Sequence, residues 1–164
     1  LLPEAIARLP DAPTIGLLGG RTGAVERAAE RLRRAGGTVV AAASPPMGFS
    51  IGDDADRAAV ASLREADPSI LFVGLGSPKQ DQWMARHAAD LPRSVMVAIG
   101  AGIDVLGGMQ PAAPAWMTRI GVEWAYRVIH DPRRLARRYL WEDPVFFWWM
   151  LRARGRGRVD SPLP

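Results

Sequence analysis

Short apolar runs and amphipathic stretches alternate along the N-terminal part of the chain. The apolar runs are TIGLLGG, TVVAAAS, SILFVGLG and SVMVAIGAG, each closed by glycines or followed by a turn. Continuous apolar character over so few residues is typical of strands buried in a parallel sheet. The stretches between them, AVERAAERLRRAGG, DDADRAAVASLREADP and KQDQWMARHAAD, carry apolar residues at helical spacing. The alternation predicts an α/β fold, a Rossmann-like parallel sheet with helices on both faces.

Beyond Pro114 the pattern changes to helices without intervening strands. PAWMTRIGVEWAYRVIHDP has apolar residues on one helical face, and both DPRRLARRYL and DPVFFWWMLRARGRGR open with Asp-Pro. An Asp N-cap followed by Pro at the first helical position is a strong helix start. We therefore predict two parts, a Rossmann-like part over residues 1–116 and an all-helical, arginine-rich C-terminal appendage over residues 117–164.

Composition restricts the chemistry. The chain has 164 residues, of which 48% are hydrophobic, and no cysteine, so it can bury one sizeable core without disulfides or thiolate chemistry. Its two histidines leave few ways to hold a transition metal. No apolar run approaches the roughly 20 residues that span a bilayer, and no leader pattern opens the sequence. We expect a cytoplasmic protein, and because the first residue is Leu1, we expect the sequence to begin inside a longer one.

Positive charge is concentrated near the C-terminus. Residues 118–164 hold 10 arginines against 5 acidic residues, although the net charge of the whole chain is only +4. This placement suits contact with phosphate or anionic lipid. Nucleic acid is not expected as a partner, because the Rossmann-like part lacks the aromatic residues, interleaved with basic ones, that stack on bases.

Three glycine-containing turns follow predicted strands, where ligands of open parallel sheets bind. The first, GLLGGRTG, lacks the full spaced-glycine signature of dinucleotide sites, so glycines that only form a tight turn are the alternative there. The other two are GLGSPKQDQW and GAGIDVLGG. The candidate ligand-binding residues in these turns are Gly19, Gly20, Gly76, Ser77, Pro78, Lys79, Gln80, Asp81, Gly100 and Gly102.

Lys79 is the only lysine of the chain. A cation in the first turn of a helix is unfavourable for the helix dipole, so its position makes sense if an anion binds nearby. Gln80 beside it offers both a donor and an acceptor to a base or a sugar. The alternative is a solvated lysine next to Trp83, for which a place in the core is favoured.

Two further motifs have structural alternatives. Asp54 and Asp56 have the Asp-x-Asp spacing by which many sugar transferases hold a divalent cation, but at a helix start such acids complement the dipole, and we favour that role. The run VFFWWML, with four arginines behind it, could lie among lipid headgroups or dock on the domain core. We favour membrane contact.

The blocks GLGSPKQDQW, GAGIDVLGG with the following AP and W, and GVEWAYRVIHDPRRLARRYL occur together in a chain that resembles the WecG/TagA/CpsF family of glycosyltransferases (glycosyltransferase family 26). The resemblance covers roughly residues 1 to 141. It implies transfer of N-acetylmannosamine, its uronic acid or a related hexose from a UDP-sugar to a polyprenyl-diphosphate-linked sugar. Such enzymes serve the synthesis of teichoic acids, capsules and exopolysaccharides.

The resemblance also implies residue roles. Gln80 would contact the UDP-sugar, with Lys79 near its negative charge and Asp81 in place of the usual glutamate. The family works without metal, so no metal or cofactor is expected. Ala112 stands where an arginine is usual, which puts any phosphate contact from that position in doubt. Arginines of the appendage would stabilise the departing diphosphate, with a solvated basic face or lipid contact as the alternative for each one. They are Arg127, Arg134, Arg137 and Arg138.

The catalytic base implied by the family is an aspartate in an N-terminal part that nothing in this sequence matches. Asp104, preceded by Ile103 instead of the usual phenylalanine, is the nearest substitute, although a structural or sugar-hydroxyl role is favoured for it. We expect an inverting single displacement on the cytoplasmic face of the bacterial membrane, with the protein bound peripherally to the inner membrane surface. The alternative is an inactive nucleotide-sugar-binding or membrane-docking fragment. The oligomeric state is open, and a homo-oligomer that closes the pocket is one option.

Overall fold

A computed structural model describes residues 13–111 together with Pro114 and Met117. By its internal contacts the chain divides into two units, Leu1–Pro111 and Ala112–Pro164, and the described residues belong almost entirely to the first. The predicted helical appendage and the predicted boundary after residue 116 therefore stay predictions. The strands are β1 (Thr14–Gly19), β2 (Thr38–Ala43), β3 (Ile70–Gly74) and β4 (Val95–Ala98). The helices are α1 (Ala24–Arg34), α2 (Asp54–Ala66), α3 (Lys79–His87) and α4 (Gly102–Leu106).

The four strands form one parallel sheet in the order β2-β1-β3-β4. In its centre Leu17 of β1 lies beside Phe72 of β3, and Phe72 lies beside Val97 of β4. Parallel neighbours need crossover connections, and each connection between consecutive strands contains one of the predicted helices. The predicted α/β, Rossmann-like parallel sheet is confirmed.

Helices cover both faces of the sheet because alternate strand residues point to opposite sides. Ile15 and Leu17 belong to one buried cluster, which includes residues of α1 and Ile103 of α4. Leu18 belongs to a second buried cluster on the other face, together with residues of α2 and Trp83 of α3. The sheet is therefore the middle layer of three, and its carboxyl edge is left for the connecting loops.

Strand β4 differs from its prediction. The sequence predicts a buried strand, but Val95 is 65% exposed and Val97 is 37% exposed, and Ala98 is exposed as well. That prediction is wrong, because β4 is the last strand of the sheet in the described part of the chain. An edge strand is half covered even when its residues are as apolar as those of a central strand.

Local signals explain where the helices begin. Helix α1 starts after Gly23, whose φ of 77° lies in the left-handed region that glycine adopts without strain. Helix α2 has Asp53 as its N-cap, with a side-chain oxygen that accepts from the Asp56 N–H. Within the described residues, no helix has both the length and the apolar character needed to cross a bilayer.

Candidate functional site

The carboxyl edge of the sheet brings three loops together. Strand order reverses between β1 and β3, since β2 lies on one side of β1 and β3 on the other. Ligands of open α/β sheets bind outside the strand ends at such a switch point. Here the Gly20 N–H donates to the Gly74 carbonyl across 3.1 Å, and the Ile99 N–H donates to the Val73 carbonyl across 2.9 Å. The loops after β1, β3 and β4 therefore meet at one edge, which we call the site edge.

The glycines of the site edge have two different reasons for being glycine. A Cβ on Gly19 would lie 2.5 Å from the Gly74 carbonyl oxygen, and a Cβ on Gly20 would lie 2.6 Å from Ile103 Cγ2. Close packing thus requires Gly19 and Gly20, and both also have the positive φ that glycines of a tight turn adopt. Gly76, with φ of 77°, has open space where its Cβ would be. Contact of any of these glycines with a nucleotide stays a prediction, as it does for Gly100 and Gly102.

Two backbone N–H groups in the first turn of α3 are bonded internally. The Gln80 N–H donates to the Gly76 carbonyl across 2.8 Å, and the Asp81 N–H donates to the Pro78 carbonyl across 3.1 Å. Ser77 Oγ donates to Asp81 Oδ2 across 2.9 Å, and the Ser77–Pro78 peptide is cis. The Gln80 and Asp81 N–H groups are therefore already engaged, and the side chains of Lys79 and Gln80 are the groups of this turn that we consider for a ligand.

Gln80 is held in one orientation. Its Oε1 accepts from the Gly100 N–H across 3.2 Å, which ties α3 to the loop after β4. A backbone N–H can only donate, so the amide oxygen faces Gly100 and the Nε2 group faces away from it. The site edge therefore presents an oriented amide donor.

Lys79 is half-buried and bonded to the loop that precedes α2. Its Nζ donates to the Phe49 carbonyl and lies 3.5 Å from the centroid of the Phe49 ring, a cation–π contact. The alternative of a solvated lysine does not describe this side chain. An anion beside Lys79 stays a prediction. The ammonium group that would bind it is already partly shielded from water by Phe49.

Asp104 lies in the first turn of α4, a short helix within the stretch GAGIDVLGG that the sequence predicts as a glycine-containing turn. It is only 7% exposed, and its Oδ1 accepts from the Arg21 N–H across 2.7 Å. Its Oδ2 lies 3.9 Å from Arg21 Nε. The carboxylate thus holds the loop between β1 and α1, which is a structural use. A role as base stays a prediction.

Arg21 is the site-edge residue that sequence reasoning missed. Its side chain is 49% exposed, and it directly follows the paired glycines after β1. The signal for it was present, because a cation in the first loop after a central strand stands at the edge where ligands bind. Asp104 lies 83 residues along the chain, so the pairing itself could not be predicted from local pattern.

The two acids of the Asp-x-Asp motif do not face one another. Asp54 is exposed and pairs with Arg57 across 2.5 Å, whereas Asp56 is fully buried. Asp56 Oδ1 accepts from Trp83 Nε1 across 2.6 Å, which also confirms the core position of Trp83. The structural alternative for the motif, acids at a helix start, is supported. Asp56 in addition joins α2 to α3 through its hydrogen bond with Trp83. Within the described residues, no three acidic or histidine side chains are arranged to hold a metal ion.

Two carboxylates have perturbed acidity. The pKa of Asp53 is lowered because the Ser50 N–H and the Asp56 N–H donate to its oxygens, at 2.7 Å and 2.8 Å. The pKa of Asp90 is lowered chiefly by its hydrogen bond with His87, across 2.9 Å. Both acids belong to the contacts between α2, α3 and the loop that precedes α2.

A shallow groove of about 520 Å³ lies away from the site edge, between α3 and β4. Its lining is mainly apolar, and Asp81 is the only residue it shares with the predicted site. The residues around it are Asp81, Met84, Ala85, Ala88, Leu91, Pro92, Ser94 and Met96. The candidate catalytic arginines of the appendage, Arg127, Arg134, Arg137 and Arg138, lie outside the described residues, as does Ala112.

Comparisons with known proteins identify the family of the chain. The family model described as "Glycosyl transferase WecG/TagA/CpsF family" matches residues 1–160. A relative from Bacillus subtilis (strain 168), an N-acetylglucosaminyldiphosphoundecaprenol N-acetyl-beta-D-mannosaminyltransferase, is 37% identical over 118 residues, which are 71% of this chain and 45% of the relative. A relative of the same name from Staphylococcus aureus (strain MW2) is 30% identical over 99 residues, 60% of this chain and 38% of the relative. The matched stretch is thus less than half of each relative. The chain belongs to the WecG/TagA/CpsF family of glycosyl transferases.

Proposed function

We propose that this chain binds the nucleotide of a UDP-sugar at the site edge and serves a hexosyltransferase. The observation that carries the proposal is the Gln80 amide, fixed by the Gly100 N–H with its donor turned outward, beside the half-buried cation of Lys79. An oriented donor next to a cation suits an acceptor-rich, anionic ligand such as a uridine diphosphate. The sugar is an N-acetylmannosamine-type hexose, by analogy with the names of the two relatives.

The reaction is an inverting single displacement. The hydroxyl of a polyprenyl-diphosphate-linked sugar attacks the anomeric carbon, the bond from that carbon to the UDP oxygen breaks, and UDP leaves with the electron pair. The hydroxyl proton passes to a base that we place outside the described residues, because Asp104 is engaged with the Arg21 N–H. The acceptor is lipid-linked, so we place the reaction at the cytoplasmic membrane surface, with the chain bound peripherally.

Protein cations offset the charge of the departing diphosphate, and no metal or cofactor is required in this proposal. Arg21 and Lys79 are the cations of the described site edge. Arg21 is half exposed and its guanidinium is only loosely associated with Asp104, so it can turn towards an anion. Four further arginines would complete the set, and they are Arg127, Arg134, Arg137 and Arg138.

Calorimetric titration tests the proposal. UDP, and AMP as control, are titrated without added metal into this chain and into Gln80→Ala. We expect UDP to bind, AMP not to bind, and the variant to bind UDP about tenfold more weakly, because a hydrogen bond to a charged or polar ligand group is lost. Absence of UDP binding at millimolar concentration would overturn the proposed site.

A second assay separates an enzyme from a binding fragment. The chain is incubated with a UDP-hexosamine and a short polyprenyl-diphosphate-linked N-acetylglucosamine, and the elongated lipid product is measured. Transfer supports the full proposal. UDP binding without transfer would support the alternative, an inactive nucleotide-sugar-binding or membrane-docking fragment. Sedimentation of the same sample shows whether the chain is a monomer or a homo-oligomer.

A further inference from the structure

One side of helix α3 contacts a single preceding segment along most of its length. Lys79, Trp83 and His87 are spaced four residues apart, so they lie on the same side of the helix. Lys79 contacts Phe49 at the site edge, whereas Trp83 and His87 both contact Asp56 in the first turn of α2. One buried carboxylate, that of Asp56, therefore holds α3 at residues that follow its first turn. That first turn carries the proposed nucleotide-binding side chains.

The buried end of this contact is polar. His87 has a carboxylate at each ring nitrogen, with Asp56 Oδ2 3.1 Å from Nε2 and Asp90 Oδ2 2.9 Å from Nδ1. Asp56 also accepts from the Gly52 N–H across 2.6 Å, besides the Trp83 indole. Both ring nitrogens of His87 thus lie within hydrogen-bond distance of a carboxylate oxygen. Arg64 of α2 and Arg86 of α3 are the other charged groups that act on Asp90.

Such a pair contributes more to geometry than to net stability. Desolvation of the buried polar groups offsets most of the gain from their hydrogen bonds, so apolar residues would hold the helix to the core as well. Apolar contacts alone, however, leave a helix able to slide or rotate slightly. Asp56 receives directed bonds from Trp83, His87 and the Gly52 backbone, and these fix both the axial position and the rotation of α3.

We propose that Asp56 and His87 are positioning residues for nucleotide binding. Their buried contact sets the position of α3, and so keeps Lys79 against the Phe49 ring and Gln80 against the Gly100 N–H. The inference rests on the proposed function, because the position of α3 affects nucleotide binding only if the nucleotide binds at the site edge. The position itself is a property of the folded chain, and it can be measured without nucleotide.

The chain's single lysine gives a direct probe of that position. Growth on 13C-lysine labels Lys79 alone, and the Phe49 ring, whose centroid is 3.5 Å from Nζ, should shift the ε-methylene signal upfield. In Asp56→Asn, the new amide cannot satisfy Trp83, His87 and Gly52 together, because its NH2 group faces donors. We expect the Lys79 signal to move towards the value of an exposed lysine.

A matched control removes stability without touching this contact. Leu32 is buried in the cluster on the opposite face of the sheet, near the end of α1, so Leu32→Ala weakens the core and leaves α3 in place. We expect its Lys79 signal to stay upfield. His87→Gln is a second test, at a side chain that is 11% exposed and therefore less buried than Asp56. It should move the Lys79 signal in the same direction as Asp56→Asn. It keeps the test available if Asp56→Asn folds poorly.

Titration of UDP into the same variants completes the experiment, at a temperature where circular dichroism shows each one folded. We expect about tenfold weaker binding in Asp56→Asn and His87→Gln, and unchanged binding in Leu32→Ala. An unmoved Lys79 signal in both folded variants would overturn the inference. If the parent chain does not bind UDP, the proposed function fails, and the lysine signal still decides whether Asp56 and His87 position α3.

Discussion

The side-chain oxygen of Gln80 accepts a hydrogen bond from the backbone N–H of Gly100, 3.2 Å away, and joins the first turn of α3 to the loop after β4. Both partners stand at the carboxyl edge of the sheet. Because the oxygen is engaged, the amide can offer a ligand only its N–H groups. Gln80 can both donate and accept through its amide, and this hydrogen bond leaves it only the role of donor towards a ligand.

Replacement of Gln80 by glutamate tests this orientation. A carboxylate oxygen can still accept from the Gly100 N–H, so we expect the free energy of unfolding to change by less than about 0.5 kcal/mol. The outward donor becomes a negative acceptor, so UDP should bind more weakly to Gln80→Glu than to Gln80→Ala. Calorimetry on both variants checks the order. Equal affinity of Gln80→Glu and the parent would show that the amide N–H groups do not contact the ligand.

Gly74 is a point where the strand ends have no room for a side chain. A Cβ there would lie 2.7 Å from the Gly100 carbonyl oxygen and 2.8 Å from Ile103 Cδ1. The first of these atoms is backbone and cannot yield easily, so we expect Gly74→Ala to lose about 1–3 kcal/mol of stability in urea unfolding.

Gly76 provides the control for that prediction. A Cβ on Gly76 would have open space around it, so the cost of a substitution there comes only from the positive φ of 77°. Gly76→Ala should therefore cost about 1–2 kcal/mol, and Gly76→Asn less, because asparagine tolerates the left-handed region. A Gly74→Ala variant that unfolds at the parent's urea concentration would contradict the close approach of these loops.

Much of the fold follows from patterns of a few residues. Apolar runs that end in glycine predict the strands, amphipathic spacing predicts the helices between them, and alternation predicts the parallel sheet. The exposure of Val95 and Val97 was not predictable in this way, because the sequence of a strand does not state its place in the sheet. The site edge was predictable because it follows from parallel topology alone.

The residues within the site were less predictable, since their roles depend on distant partners. Asp56 has the sequence context of any acid at a helix start, and its burial depends on Trp83, 27 residues away, and His87, 31 residues away. Lys79 was identified by its rarity, but its contact with Phe49 comes from a loop that carries no motif. Local pattern indicated the candidates, and only packing assigned their contacts.

Asp53 should make stability depend on pH in the acidic range. Its pKa is lowered by backbone N–H donors, so the folded state favours the ionised form. The resulting stabilisation is complete above about pH 4 and is lost as the pH falls through the lower pKa of the folded state. An asparagine side chain at this position would still cap α2 but cannot ionise. The melting temperature of Asp53→Asn should therefore lie below that of the parent at pH 7 and converge with it in acid; a constant difference would contradict this.

The acidity of Asp90 reports its hydrogen bond with His87. Its pKa is lowered mainly by the His87 hydrogen bond, with smaller contributions from Arg64 and Arg86. His87→Leu should therefore raise the pKa of Asp90 towards its ordinary range, whereas Arg86→Gln should change it little. Titration of the Asp90 carboxyl carbon by NMR measures both. If Asp90 titrates alike in His87→Leu and in the parent, the imidazole does not donate to it.

The use of Asp104 can be separated from a catalytic role by two substitutions. Its Oδ1 accepts from the Arg21 N–H across 2.7 Å, and an asparagine oxygen can accept from the same group. Asp104→Asn should therefore unfold within about 0.5 kcal/mol of the parent. Asp104→Ala leaves the Arg21 N–H without that partner and should cost about 1–3 kcal/mol.

Transfer activity then distinguishes the two roles. A base must accept the proton of the acceptor hydroxyl, and asparagine cannot do so, so loss of a base would abolish turnover in Asp104→Asn. If Asp104 holds the loop between β1 and α1, the asparagine variant keeps that loop in place and retains most of the transfer rate, while Asp104→Ala loses both stability and rate. Turnover is measured with the lipid-linked acceptor for all three proteins at a temperature where each is folded. An inactive Asp104→Asn with native stability and native UDP affinity would assign the proton transfer to Asp104 after all.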